Sequence, residues 1–124
     1  MKKTKVLIVE DEQTLLDMYS LKLSKENFEV IKAADGQEGL EKAKSEKPDI
    51  ILLDIMLPKI DGFQVLKNLR ETKGFKNVPI IMLTNLGQNE DKQKGKQLGA
   101  TDYLVKADTT PTDVVEKINS LIKK

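Results

Sequence analysis

Five short apolar runs constrain the fold of this chain more than any other feature. They are rich in β-branched residues and are apolar at consecutive positions; they are residues 6–9, 30–31, 50–53, 80–83 and 103–105. A strand that is apolar on both faces suits a parallel sheet covered by helices on both sides, whereas a sheet with one wet face alternates apolar and polar residues. The runs therefore predict five short parallel strands.

The segments between these runs have the apolar spacing of helices. Helical period is found at residues 12–27, 36–46, from 61 onward and 110–122, and the fourth helical segment, 88–98, is the exception. Asp35, Asp61 and Thr110 are suited to cap the helices that follow them. The segment 88–98 is almost entirely polar and contains Gly95, so we expect the fourth helix to be the least anchored. Alternating strands and helices in 124 residues predict one doubly wound α/β domain over residues 1–124.

Composition narrows the chemistry that the chain can perform. The sequence contains no Cys and no His, which excludes disulfides, thiolate chemistry and His-based catalysis, so any metal must be bound by oxygen. There are 21 basic and 20 acidic residues, and Arg70 is the only side chain that could hold phosphate in a bidentate fork. This balance predicts no direct binding of nucleic acid.

Apolar runs of this length also argue against a membrane protein. A bilayer-spanning helix needs about 20 apolar residues, several times the length of the longest run here, and the amino terminus does not resemble a signal peptide. We therefore expect a cytoplasmic protein without a membrane partner.

Polar residues follow four of the five predicted strands. Glu10 and Asp11 follow the first strand, Asp54 the third, Thr84 the fourth and Lys106 the fifth. In doubly wound sheets, ligands bind outside the carboxyl ends of the strands. If the first and third strands are neighbours, the three carboxylates converge there and need a compensating cation.

The available ligands favour a hard divalent cation. Carboxylates, a backbone carbonyl and waters suit Mg²⁺, or a related cation such as Mn²⁺, and Mg²⁺ commonly shares its shell with a phosphoryl group. Lys106 adds a compact positive charge and Thr84 a hydroxyl donor. Together these residues resemble a phosphoryl site in which a carboxylate is the acceptor.

Each of these residues also has a simpler interpretation. An acidic residue after a strand often caps the next helix, and this explanation stays open for Asp11. Thr84 could be a loop hydroxyl and Lys106 a surface charge. Asp54 differs, because apolar residues follow it directly and an isolated carboxylate among them needs a partner.

Four segments, in order along nearly the whole chain, resemble the receiver domain of two-component response regulators: VLIVEDE, IILLDIMLPKIDGFQVLKNLR, PIIMLTN and GATDYLVK. The resemblance implies a flavodoxin-like fold with strand order 2-1-3-4-5. It also implies that Asp54 accepts a phosphoryl group from a phospho-His of a sensor kinase or phosphotransfer protein. Such a domain is a signalling module rather than an enzyme, with at most slow self-phosphorylation and self-dephosphorylation.

The resemblance also assigns roles around Asp54. Glu10, Asp11 and the backbone carbonyl of Met56 would hold Mg²⁺ together with Asp54. Thr84 and Lys106 would contact the phosphoryl oxygens. Tyr103 would be the aromatic residue of a switch that remodels the face formed by strand four, helix four and strand five, which a downstream protein would then bind.

The sequence departs from the usual family pattern at several positions. Glu10 replaces the commoner Asp, and Asn85 stands where a small residue is usual. Ala107 replaces the Pro after Lys106, so we expect either a trans bond with a rearranged loop or a strained cis bond. Met56 and Leu86 are apolar and cannot orient a hydrolytic water, which predicts slow self-dephosphorylation.

Three alternatives remain. A phosphatase of the haloacid dehalogenase type would place its nucleophilic Asp after the first strand and an acid two residues later, whereas Asp54 follows the third strand and precedes Met56. A flavin-binding flavodoxin would not place Glu10 and Asp11 where phosphate binds. The chain could also be a receiver cut from a DNA-binding regulator or hybrid kinase, although helix five without a following linker favours a stand-alone regulator.

Overall fold

The computed structural model describes residues 3–85 and 89–122. Five strands and five helices lie within these ranges. The strands are β1 (Lys5–Val9), β2 (Glu29–Ala33), β3 (Ile50–Asp54), β4 (Ile80–Thr84) and β5 (Asp102–Val105). The helices are α1 (Gln13–Lys25), α2 (Gly36–Glu46), α3 (Gly62–Arg70), α4 (Asn89–Gln97) and α5 (Pro111–Ile122). The predicted alternation is confirmed, and none of the described helices is both long and apolar enough to cross a bilayer.

The strands form one parallel sheet in the order β2-β1-β3-β4-β5. Val9 pairs with Leu53, and Asp54 pairs with Leu83. From β1 the chain first adds β2 on one side of the sheet and then adds β3, β4 and β5 on the other side. The strand order therefore reverses between β1 and β3, and ligands of doubly wound sheets bind in the crevice at such a point. This confirms the flavodoxin-like order that the family resemblance implied.

Both faces of the sheet are buried, as the apolar runs predict. Ile8 and Leu52 belong to the core beneath α1 and α5, whereas Val9 and Leu53 belong to the core on the other face, beneath α2 and α3. Successive residues of a strand point to opposite faces, so the central strands β1, β3 and β4 need apolar residues at consecutive positions to fill both cores, whereas the edge strands β2 and β5 are less buried.

Side chains cap three of the helices where the sequence predicts it. The Asp35 carboxylate accepts a hydrogen bond from the backbone N–H of Glu38 (2.8 Å), and Asp61 accepts one from Gln64 (3.0 Å). At the start of α5, Thr110 and Asp113 exchange reciprocal bonds of 3.1 and 2.9 Å, which form a capping box.

Helix α4 packs through lysine side chains rather than apolar ones. Its sequence, NEDKQKGKQ, contains no aliphatic or aromatic side chain. The Lys92 ammonium lies 4.7 Å from the centre of the Tyr103 ring, and the Lys94 ammonium lies 4.6 Å from that of Phe63. Such cation–π contacts stabilise exposed sites by about 0.5–1 kcal/mol each, which is less than a buried apolar side chain contributes. This packing agrees with the expectation of a weakly anchored helix.

Arg70 connects the end of α3 to the loops on either side of β4. Its Nε donates to the Gly99 carbonyl (2.8 Å), and its Nη1 donates to the carbonyls of Phe75 (2.6 Å) and Val78 (2.7 Å). Its Nη2 donates to the Thr101 hydroxyl (3.3 Å). The sequence offered the Arg70 guanidinium as the only possible bidentate phosphate ligand. In the structure this guanidinium instead donates hydrogen bonds to backbone carbonyls.

Candidate functional site

The carboxyl ends of β1, β3 and β5 bring together two buried carboxylates and one ammonium. Lys106 Nζ lies 2.8 Å from Asp54 Oδ2 and 2.8 Å from Glu10 Oε1, and 3.8 Å from Glu12 Oε1. Glu10 is 0% exposed, Asp54 is 1% exposed and the Lys106 side chain is 9% exposed. Because β4 separates β3 from β5, Lys106 needs its long side chain to reach both acids.

The backbone after β3 fixes the position of Asp54. Oδ1 accepts a hydrogen bond from the N–H of Met56 (3.2 Å), while Oδ2 accepts one from Lys106 (2.8 Å). The N–H of Gly62 donates to the Ile55 carbonyl (2.8 Å), so α3 starts directly behind Asp54. A Cβ at Gly62 would collide with the Asp54 carbonyl. The glycine therefore contributes to the site, although the sequence reasoning did not single it out.

Asp11 joins Glu10 and Asp54 in an acidic pocket. Each of the three residues offers a carboxylate oxygen, and these oxygens lie within 4.8 Å of one another. Asp11 is exposed, whereas the other two are buried. The N-cap residue of α1 is Glu12, so the interpretation of Asp11 as a helix cap is wrong: the chain turns one residue later and leaves Asp11 at the mouth of the pocket.

The donor set of this pocket fits a hard divalent cation. If ionised, the three carboxylates and Lys106 carry a formal charge of −2. Glu10 Oε2 accepts a hydrogen bond from the Glu12 N–H (3.0 Å). Oε1 has no aligned hydrogen-bond donor among the described residues, although Lys106 is close enough for an ion pair. A buried, incompletely satisfied carboxylate oxygen among oxygen ligands is suited to Mg²⁺.

Burial controls the ionisation of the site. Desolvation raises the pKa of Glu10 from 4.5 to about 7, against the lowering effect of Lys106. Desolvation also raises the pKa of Asp54, and again Lys106 opposes the shift. Burial alone would lower the pKa of Lys106, but its close contacts with the Asp54 and Glu10 carboxylates raise it. The pocket thus holds a firmly charged ammonium beside two carboxyl groups that protonate more readily than usual.

The remaining predicted site residues are placed by the register of the sheet and by one hydrogen bond to Asp54. They are Thr84, Met56 and Tyr103. Thr84 is buried at the end of β4, one residue beyond the partner of Asp54 in the register. Met56 contributes its backbone N–H to Asp54, and its side chain is 66% exposed. Tyr103 pairs with Met82, two residues before Thr84, and lies half-buried beside α4.

Of the two predictions for the loop after β5, the structure has the trans peptide bond rather than the cis one. The peptide bond between Lys106 and Ala107 is trans, and Lys106–Asp108 form a short 3₁₀ turn. The Thr109 hydroxyl donates to the Val105 carbonyl (2.6 Å) and closes this turn. Asn85 is exposed at the end of the first described range, and Leu86 lies outside the described residues.

Comparisons with known proteins agree with this geometry. Residues 6–119 match the family model described as the response regulator receiver domain. The chain is 41% identical over 120 residues to the alkaline phosphatase synthesis transcriptional regulatory protein PhoP of Bacillus subtilis, covering 97% of this chain and 49% of that protein. It is 39% identical over 123 residues to the DNA-binding dual master transcriptional regulator RpaA of Synechocystis, with the same coverage of 97% and 49%.

The structure resembles the chemotaxis response regulator CheY4 of Vibrio cholerae, with a TM-score of 0.92 and 36% identity. That match covers 98% of this chain and 100% of CheY4. By contrast, the chain spans about half the length of the curated relatives it matches.

Proposed function

The chain belongs to the response regulator receiver domain family, and from this premise we propose that Asp54 accepts a phosphoryl group from a phospho-His of a partner kinase or phosphotransfer protein. A P–O bond forms to a carboxylate oxygen of Asp54 while the P–N bond of the donor breaks, and the donor imidazole regains a proton. The 124 residues contain no His, so the donor imidazole belongs to a residue outside them.

One observation carries the proposal: Asp54 is a buried carboxylate held 2.8 Å from the Lys106 ammonium beside a second buried acid. Phosphoryl transfer depends mainly on positioning and on compensation of charge. Lys106 supplies a fixed positive charge for the incoming phosphoryl oxygens. The Met56 N–H restrains the other oxygen of Asp54, so the acceptor is held from two sides.

Glu10, Asp11 and Asp54, with the Met56 backbone carbonyl, are the residues proposed to hold Mg²⁺. When bound, this ion offsets negative charge on the transferring group. Thr84 is proposed to donate its hydroxyl to a phosphoryl oxygen, since it is buried at the end of the strand beside β3. The acidic residues thus form one side of the site, and Thr84 and Lys106 form the other.

The phosphoryl group would give the Thr84 hydroxyl a new hydrogen-bond partner, and it would give Lys106 a further partner besides Asp54 and Glu10. A contact made in only one state shifts the balance between two arrangements of a loop. Tyr103, half-buried beside the weakly packed α4, is proposed as the aromatic residue that responds. The face formed by β4, α4 and β5 would then be bound by a downstream protein, in the cytoplasm. A receiver within a longer DNA-binding regulator is the second candidate, because PhoP and RpaA are about twice as long as this chain and both are named as transcriptional regulators.

Intact mass after incubation with acetyl phosphate and Mg²⁺ tests the proposal. We expect the wild-type protein to gain one phosphoryl group and the Asp54→Asn variant to gain none. Asp61→Asn is the matched control, because Asp61 is a helix cap and asparagine also caps helices. An unchanged wild-type mass, or equal modification of Asp54→Asn, would overturn the assignment.

A further inference from the structure

Tyr19 is a buried polar residue that the proposed phosphoryl transfer does not use. It lies on α1 and is fully buried, yet its hydroxyl has no hydrogen-bond partner among the described residues. The next residue shows the usual arrangement: the buried Ser20 hydroxyl donates to the Leu16 carbonyl (2.6 Å). A buried hydroxyl without a partner is rare, because it has lost its hydrogen bonds to water without replacement.

The fold places Tyr19 beneath the acidic pocket. Tyr19 packs in the core under α1 and α5 with Ile8 and Leu52. Because side chains alternate along a strand, Asp54 lies on the same face of β3 as Leu52, and Glu10 continues the row that contains Ile8. Burial and then the negative charge of Glu10 raise the pKa of Tyr19, and the charges of Lys106 and Asp54 also reach it.

The pocket contains a second buried atom of the same kind. Glu10 Oε1 and the Tyr19 hydroxyl are the two buried side-chain oxygens without an aligned hydrogen bond among the described residues, although Oε1 also forms an ion pair with Lys106 (2.8 Å). One is an acceptor when Glu10 is ionised, and the other is a donor. A single water can accept from the hydroxyl and donate to the carboxylate, which satisfies both groups.

We propose that Tyr19 is a positioning residue for Glu10, with its hydroxyl linked to Glu10 Oε1 through one buried water. The proposal rests on the proposed function only in that Glu10 is a metal ligand. The link restrains the Glu10 side chain. Loss of a hydrogen bond to a metal-ligating side chain typically weakens metal binding by about 10–100-fold. Because a water would lie between Tyr19 and Glu10, we expect a loss of affinity at the lower end of this range, about tenfold.

Titration with Mn²⁺ alone, with free ion measured by electron paramagnetic resonance, tests this role in the full chain. We expect Tyr19→Phe, which removes only the hydroxyl, to raise the Mn²⁺ dissociation constant about tenfold. Ser20→Ala removes a neighbouring buried hydroxyl that is bonded within its own helix, and it should leave the constant within about twofold. Circular dichroism verifies that each variant is folded.

A high-resolution crystal structure of the metal-free wild-type protein provides an independent measurement. We expect a water within hydrogen-bond distance of both the Tyr19 hydroxyl and the Glu10 carboxylate. Equal affinity of Tyr19→Phe and wild type, equal losses in both variants, or a structure without this water would each overturn the inference. If the wild-type protein binds no Mn²⁺, the metal site of the proposed function fails, and the bridging water alone decides the link between Tyr19 and Glu10.

Discussion

The Lys106 ammonium lies 2.8 Å from the Asp54 carboxylate, although the two residues are 52 positions apart in the sequence. The same nitrogen lies 2.8 Å from Glu10. One cation therefore compensates two buried acids that come from different strands. This contact joins the ends of β1, β3 and β5 and links the stability of the fold to the chemistry of the site.

Replacement of Lys106 by Met should destabilise the fold at pH 8 by about 3–5 kcal/mol, because two buried carboxylates would lose their partner. The loss should be smaller at pH 5, where the carboxyl groups can take up protons. Urea unfolding at both pH values measures the difference. Lys117→Met is the control, because the pair of Lys117 with Asp102 is about one-third exposed and contributes at most about 1 kcal/mol. Equal losses in the two variants would contradict this prediction.

The stability of the metal-free protein should fall as pH rises from about 4.5 to about 7. Glu10 has a pKa of about 7 in the folded protein and 4.5 as its ordinary value. Between these values the folded state binds more protons than the unfolded state, so deprotonation destabilises the fold, with a slope of up to about 1.4 kcal/mol per pH unit. Urea unfolding in EDTA measures the slope. Glu10→Gln should reduce it, whereas Glu41→Gln on the exposed side of α2 should not.

Met56→Asn should accelerate the release of phosphate from the phosphorylated protein. An amide at this position can hydrogen-bond the attacking water, and one hydrogen bond of about 1 kcal/mol corresponds to about a fivefold change in rate. The exposed side chain of Met56 allows the change without disturbing the core. Phosphate release after removal of excess acetyl phosphate provides the measurement, with the exposed Leu21→Asn as the control. A rate that is unchanged or lower would count against an apolar residue as the cause of a long-lived signal.

Two glycine substitutions should have opposite effects. A Cβ at Gly95 would make ordinary contacts of 3.6 Å with Ala100 and 3.7 Å with Met82, so Gly95→Ala should stabilise α4 by up to about 1 kcal/mol. A Cβ at Gly62 would lie 2.7 Å from the Ile55 Cα and would collide with the Asp54 carbonyl. Gly62→Ala should therefore lower both the thermal midpoint and the yield of phosphorylation. Stabilisation by both substitutions would show that the backbone behind Asp54 is not tightly packed.

The sequence predicts much of this structure because strand burial is a local property. Apolar residues at consecutive positions identify β3 and β4, and the polar residues that follow the apolar runs of β3 and β5 identify the edge where Asp54 and Lys106 meet. Other contacts depend on distances that no local pattern contains. Arg70 could be identified as the only arginine, but its bonds to Gly99 and Thr101 join residues 29 and 31 positions away. The N-cap of α1 depends on the backbone turn at Glu12 rather than on the residue type of Asp11.

The bond from Arg70 to the Gly99 carbonyl restrains the chain two residues after the end of α4. A rigid helix held at one end moves like a lever about that end. Nine residues of α-helix are about 13 Å long, so a rotation of about 10° moves the far end by roughly 2 Å. That far end starts at Asn89, five residues after Thr84, so the part of α4 nearest Thr84 in the sequence would undergo the largest displacement. With this pivot, a small change at Thr84 would tilt α4, with the largest displacement at its first residue and the smallest beside Gly99.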